Sequence, residues 1–99
     1  MLKAEIYIDL ERFQGEQSLH DFIMKFLIEQ DIAGATSFRA YAGFGRHHRI
    51  KRPNELFSFD EPPILITFID EDQKVRSVAK KLQEYLHGGL IIIQKIETL

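Results

Sequence analysis

Ninety-nine residues, 44% hydrophobic and 28% charged, make one globular domain rather than a disordered or fibrous chain. A net charge of −2 argues against a general polyanion binder, and the absence of cysteine excludes disulfides and thiolate metal centres. No apolar run reaches the ~20 residues of a bilayer span, and the charged start Met1–Leu2–Lys3–Ala4–Glu5 lacks the apolar core of a signal peptide, so a cytoplasmic protein, not embedded in a membrane, is expected.

Leu2, Ala4, Ile6, Ile8 and Leu10 alternate with polar residues, and that period of two predicts a half-buried strand. Arg12 to Gln17 reads as a connection broken by Gly15. Ser18 is placed to cap a helix, its hydroxyl accepting from the Asp21 amide while the Asp21 carboxylate answers as in a capping box. Leu19, Phe22, Ile23, Phe26 and Leu27 form the apolar stripe of that helix, which should end near Gln30–Asp31.

A second strand is expected over 35–45, with Phe38, Ala40, Ala42 and Phe44 on one face and Ser37, Arg39 and Tyr41 on the other. A long connection follows, charged at first and ending in Pro62–Pro63; connections of this length in small domains are usually functional or mobile. Ile64 to Ile69 is apolar on both faces, as in a central strand. Asp70, with Gln73, is placed to cap a second helix whose stripe is Val75, Val78, Ala79, Leu82 and Leu86, and Gly88 to close it. Leu90–Ile91–Ile92–Ile93 opens a last strand running to about Glu97. The order β-α-β-β-α-β predicts an α+β, ferredoxin-like domain over 1–99: a four-stranded antiparallel sheet with two helices on one face. The uncovered face would carry either Leu65 and Ile69 or Ile64, Ile66 and Phe68, plus isoleucines of the last strand. An apolar face of that kind predicts a homo-oligomer.

The chemistry concentrates after the second strand. Residues 46–53 carry Arg46, Arg49, Lys51 and Arg52 and no acid, a local +4 that leaves −6 on the rest of the chain. Next to them, Gly43 and Gly45 allow the close backbone approach that a phosphate needs, and Phe44 could stack on a base. Arg pairs bidentately with phosphoryl oxygens, and Lys acts as a point charge. The plainer alternatives are a solvated loop, a bent strand end and a core Phe44. Thr36 and Arg39 lie on the strand leading there; Thr36 suits a base or phosphate contact, Arg39 a carboxylate or ligand across a subunit boundary. His47 and His48 are adjacent and point in opposite directions on extended chain, which disfavours a shared metal ion. The sequence has no Gly-x-Ser-x-Gly, Walker loop or Rossmann fingerprint, and the acids Asp70–Glu71–Asp72 suit a helix N-terminus, so no enzyme and no metal site is expected.

Ile32–Ala33–Gly34–Ala35–Thr36, Arg39–Ala40–Tyr41–Ala42–Gly43–Phe44–Gly45, Pro62–Pro63 before an apolar strand, and Leu86–His87–Gly88–Gly89–Leu90 together resemble the small bacterial PII-like signalling proteins over nearly the whole chain. The resemblance implies a homotrimer with sheets facing the threefold axis. It also implies an adenine nucleotide or related small molecule as effector in clefts between subunits, with no obligatory cofactor, and a loop from Gly45 to Pro62 that switches contact with a partner protein, an enzyme or a transporter. The second phosphate-contacting loop falls at His87–Gly88–Gly89. The ligand-binding residues so implied are Gly34, Thr36, Arg39, Gly43, Phe44, Gly45, Arg46, Arg49, Gly88 and Gly89. The alternative is an RNA-binding ferredoxin-like module, with Tyr7 and Tyr41 as the stacking pair on the open face; stable nucleic-acid binding is not expected.

Overall fold

The computed structural model describes residues 1–9, 13–44, 63–86 and 90–99. Its elements are β1 (Leu2–Asp9), β2 (Phe13–Gln14), β3 (Gln17–Ser18), α1 (Leu19–Glu29), β4 (Ala35–Arg39), β5 (Pro63–Asp70), α2 (Asp72–Gln83) and β6 (Leu90–Lys95). The four longer strands form one sheet in the order β4-β5-β1-β6, antiparallel at every step. With α1 and α2 on one face, this is the ferredoxin-like α+β arrangement expected from the alternation of patterns.

Alternation along β1 and β5 decides what the helices cover. Leu2, Ala4, Ile6 and Ile8 of β1 and Ile64, Ile66 and Phe68 of β5 are buried. Against them pack Leu19, Ile23 and Leu27 of α1 and Val75, Val78 and Leu82 of α2, each set at helical spacing. Phe22 and Phe26 sit at the rim of this layer, where Tyr85 packs at 4.8 and 6.0 Å between ring centroids and joins the two helices. The choice left open by the apolar third strand resolves in favour of Leu65 and Ile69 on the open face.

Helix ends follow local chemistry. Ser18 Oγ accepts from the Asp21 amide at 3.1 Å, as expected of the cap. The Asp21 carboxylate, however, turns to His20 instead of closing a box. At the other end Asp31 takes φ 58°, and the amides of Asp31 and Ile32 reach the carbonyls of Ile28 and Leu27 at 3.0 and 3.1 Å. That is a Schellman closure with aspartate in the left-handed position.

Three expectations need correction. The second strand stops at Arg39 instead of 45, because continuing its register past Arg39↔Ile64 would set Ala40 against Pro63, which has no N–H to donate. Ala40 to Ala42 therefore leave the strand, and Tyr41 is not on the open face of β4. Part of the 12–17 connection is a hairpin, β2 against β3, with Gly15 at φ 64° as first residue of its two-residue turn; only Gly15 has positive φ there, as in a type II′ turn. The N-cap of α2 is Glu71, and its side chain makes no capping bond. Asp70, expected at that position, has a different task described below. The last strand ends at Lys95, with one more backbone bond, Ile96 N–H to the Met1 carbonyl at 3.3 Å. Gly88, expected to close α2, lies outside the described residues.

Candidate functional site

The sheet has two ends of different character. Strand directions put the C-terminal ends of β1 and β4 and the N-terminal ends of β5 and β6 at one end, the loop end. The opposite end carries the α1–β4 turn and Asp70.

At that opposite end the Ile32–Ala33–Gly34 turn is pinned from β5. Asp70 Oδ2 accepts from the Ala33 amide at 3.1 Å, and Oδ1 from the Glu71 amide at 2.8 Å. Lys74 lies 3.6 Å from Asp70 Oδ2, and its ammonium also donates to the Asp31 carbonyl. The Glu71 amide bond, then the Ala33 amide bond, hold the Asp70 carboxyl below its ordinary value, with Lys74 adding its charge. Gly34 follows this clamp. A Cβ added there would meet nothing within 4 Å, so the packing of the chain does not require glycine at this position.

Among the described strands β4 is an edge strand, paired to β5 alone. Thr36 is exposed on the open face opposite Thr67, whereas Arg39 is exposed on the helix side opposite Ile64. Beyond the strand, Gly43 makes an isolated bridge and Phe44 is exposed. Gly34 and Arg39 are separated by the length of β4, about 16 Å at a strand's rise per residue. Among the described members of the expected set, Gly34 lies at the clamped end, while Arg39, Gly43 and Phe44 lie beyond the other end of β4 or at it. Gly45, Arg46, Arg49, Gly88 and Gly89 lie outside the described residues, as do His47, His48 and His87.

The 84–89 connection enters β6 at the far edge of the same sheet, three strand spacings or about 14 Å from β4. Beside that edge α2 and β6 enclose a groove of about 280 Å³ lined by Arg76, Ala79, Lys80, Gln83, Ile91 and Ile93.

The open face itself is ordered in rows. Phe38, Leu65, Tyr7 and Leu90 stand side by side across all four strands nearest the loop end. Phe38 is 54% exposed, Leu90 56% and Tyr7 40%. In the next row Glu5 accepts from the Tyr7 hydroxyl at 3.1 Å and pairs with Lys3 at 3.2 Å. The bond to the Glu5 carboxylate, reinforced by its charge, raises the Tyr7 phenol above its ordinary value.

Sequence reasoning missed two contacts: the Asp70–Ala33 clamp, and a bond from His20 on α1 to Ser37 on β4 at 3.1 Å. The Asp70/Lys74 spacing of four was a readable signal for part of the first. Nothing local signals the second, which spans 17 residues.

Comparison with known proteins agrees with this architecture. The model of the DUF190 family, described as "Uncharacterized ACR, COG1993", matches residues 1–98. A UPF0166 protein of Methanocaldococcus jannaschii is 32% identical over 94% of the chain and 89% of its own length. A UPF0166 protein of Aquifex aeolicus is 29% identical over 90% and 83%. Among solved structures, CPII of Thiomonas intermedia K12, a nitrogen regulatory PII-like protein bound to ADP, AMP and bicarbonate, superposes with a TM-score of 0.70 at 19% identity, over 94% of this chain and 82% of that one. A Thermus thermophilus protein assigned to PII-like signalling gives 0.67 at 14% identity, over 94% and 83%. The chain thus belongs to the DUF190 family and has the fold of the PII-like proteins.

Proposed function

We propose that this protein is a non-enzymatic regulatory module that binds an adenine nucleotide in clefts between copies of itself, as a homotrimer. The observation that carries this reading is the likeness to CPII over 94% of the chain, CPII being a PII-like protein bound to ADP and AMP. The geometry supports the placement between copies. The strands that flank the two regions expected to contact ligand, β4 and β6, are the opposite edges of one sheet. Because every neighbouring pair is antiparallel, the edge strands β4 and β6 also run antiparallel to each other. A rotation about an axis along the strands brings the β4 edge of one copy to the β6 edge of the next, a head-to-tail contact that closes into a ring. The same rotation turns the apolar row of Phe38, Leu65, Tyr7 and Leu90 towards its counterparts.

In this reading Thr36, Arg39, Gly43 and Phe44 form one wall of the cleft, and Gly88 and Gly89 of the neighbouring copy the other. Arg46 and Arg49 supply charge for phosphoryl oxygens, and nucleotide binding orders loop 45–62 for a partner enzyme or transporter. Calorimetric titration of ADP, AMP and ATP separately into the purified protein tests it: saturable heat with one nucleotide bound per chain is expected. Absence of heat with all of them up to millimolar concentration overturns nucleotide binding, and a monomer by light scattering overturns the shared cleft. The RNA-binding alternative is less favoured: Tyr41, half of its expected stacking pair, lies beyond β4, and Tyr7 is the one aromatic on the open face of the described central strands β1 and β5.

A further inference from the structure

His20 lies in the first turn of α1 and uses both ring nitrogens. Nδ1 is 3.0 Å from Oδ1 of Asp21, and Nε2 is 3.1 Å from Oγ of Ser37. The carboxylate can only accept, which assigns the proton to Nδ1 and leaves the Nε2 lone pair to accept from the Ser37 hydroxyl. Carboxylate, imidazole and hydroxyl are thus hydrogen-bonded in the order that activates a serine. Ser37 is exposed on edge strand β4, so a reagent can reach it, while the His20 side chain is only 24% exposed and is held from both sides. Ser18, the nearest hydroxyl in sequence to His20, is engaged with the Asp21 amide.

We infer that Ser37 is a site of covalent acylation by an activated acyl donor, a thioester or an acyl phosphate, with His20 as base and Asp21 as the residue that positions it. Ser37 Oγ forms a bond to the acyl carbon while the bond from that carbon to sulfur or phosphate oxygen breaks. The hydroxyl proton passes to His20 Nε2 and then to the departing thiolate or phosphate; nothing is oxidised or reduced. Once acylated, Oγ has no proton to donate to Nε2, and the tie between α1 and β4 is cut. Since β4 also carries Thr36 and Arg39, the modification acts on the strand assigned to the nucleotide cleft. The acylation itself does not depend on that assignment.

The test uses p-nitrophenyl acetate as the probe, with acetylated positions located by peptide mass spectrometry at low conversion. Acetylation of Ser37 should run about a hundredfold faster than at Ser18 or Thr36, the lower range of general-base assistance. His20→Gln keeps a partner for the hydroxyl but no base; it should remove that advantage, and added imidazole should restore part of it. Asp21→Asn should slow labelling and Asp21→Glu should recover it, a rescue that loss of a merely structural contact would not give. Circular dichroism establishes that each variant is folded, and the site preference in the unaltered protein stands as a test without any variant. Acetyl groups confined to lysines and other hydroxyls, or Ser37 labelling indifferent to His20→Gln, would overturn the inference and leave the chain of bonds as a structural tie.

Discussion

The two faces of the sheet are built from the same kinds of residue and end in opposite states. On the helix side Ile6, Ile66 and Phe68 are wholly buried. On the other, Leu90, Ile92 and Ile69 of the same or neighbouring strands stay exposed, interrupted among the described side chains by Lys3, Glu5, Gln94 and two threonines. Apolar side chains are interchangeable in composition but not in consequence. Those under the helices hold the chain in one shape, whereas those on the open face, such as Ile69 at 37% and Ile92 at 39% exposure, are only partly withdrawn from water and contribute less to folding. If the proposed assembly forms, stability and assembly should answer to different substitutions.

The largest effect is expected on the covered face. Phe68→Ala removes the largest wholly buried side chain from the central strand β5, where it lies between Ala4 and Ala35, and should cost about 3–5 kcal/mol in denaturant unfolding. A loss below about 1 kcal/mol would mean the core is loosely packed there. The counterpart on the open face is Leu90→Asp. Exposed in the single chain, it should change monomer stability by no more than about 0.5 kcal/mol. In an assembled ring, however, it would bury an unpaired carboxylate, so light scattering should report monomers. Should Leu90→Asp leave the oligomer intact, the open face is not the interface.

How much of this was legible depends on the range of each interaction. Periodicity of two along Leu2–Ile8 and of three to four along Leu19–Leu27 and Val75–Leu82 reports burial residue by residue, so the fold could be read. The Ser18 cap and the turn at Gly15 are likewise set by local chemistry, although two-residue strands are too short for a pattern to reveal. What could not be read came from partners far along the chain. β4 was expected to reach residue 45 because Phe38, Ala40, Ala42 and Phe44 alternate. Its true end is set by Pro63, more than twenty residues away. Spacing along the chain likewise hides distance: Gly34 and Arg39 look adjacent in sequence, yet β4 holds them at its opposite ends.

A smaller effect probes the clamped end. Asp70→Ala removes the acceptor of two backbone amides and the partner of Lys74, and should cost about 1–2 kcal/mol. The sign of its pH dependence follows from the depressed carboxyl. The folded form keeps Asp70 ionised below the unfolded value, so its contribution is complete above about pH 4 and is lost as pH falls through the lower folded value. Unfolding curves of the parent and Asp70→Ala should therefore converge in acid, below about pH 4. A gap that persists there would mean the carboxylate's charge is not what holds Ala33.

The smallest effect has the opposite sign. Asp31 occupies the left-handed position that ends α1, where glycine carries no steric penalty, and its acid sits beside a helix C-terminus that favours cations. The ammonium of Lys74 is 3.9 Å from this fully exposed carboxylate and keeps its bond to the Asp31 carbonyl whatever the side chain. Asp31→Gly should therefore stabilise the fold by about 0.5 kcal/mol after the greater freedom of glycine in the unfolded chain is set against it. For a domain of this size that raises the melting temperature by about 2–4 °C. Asp31→Ala discriminates the cause. It removes the same charge but keeps a Cβ at φ 58°, so it should destabilise. If both variants gain stability equally, the acid at the helix end outweighs the backbone conformation as the source of the strain.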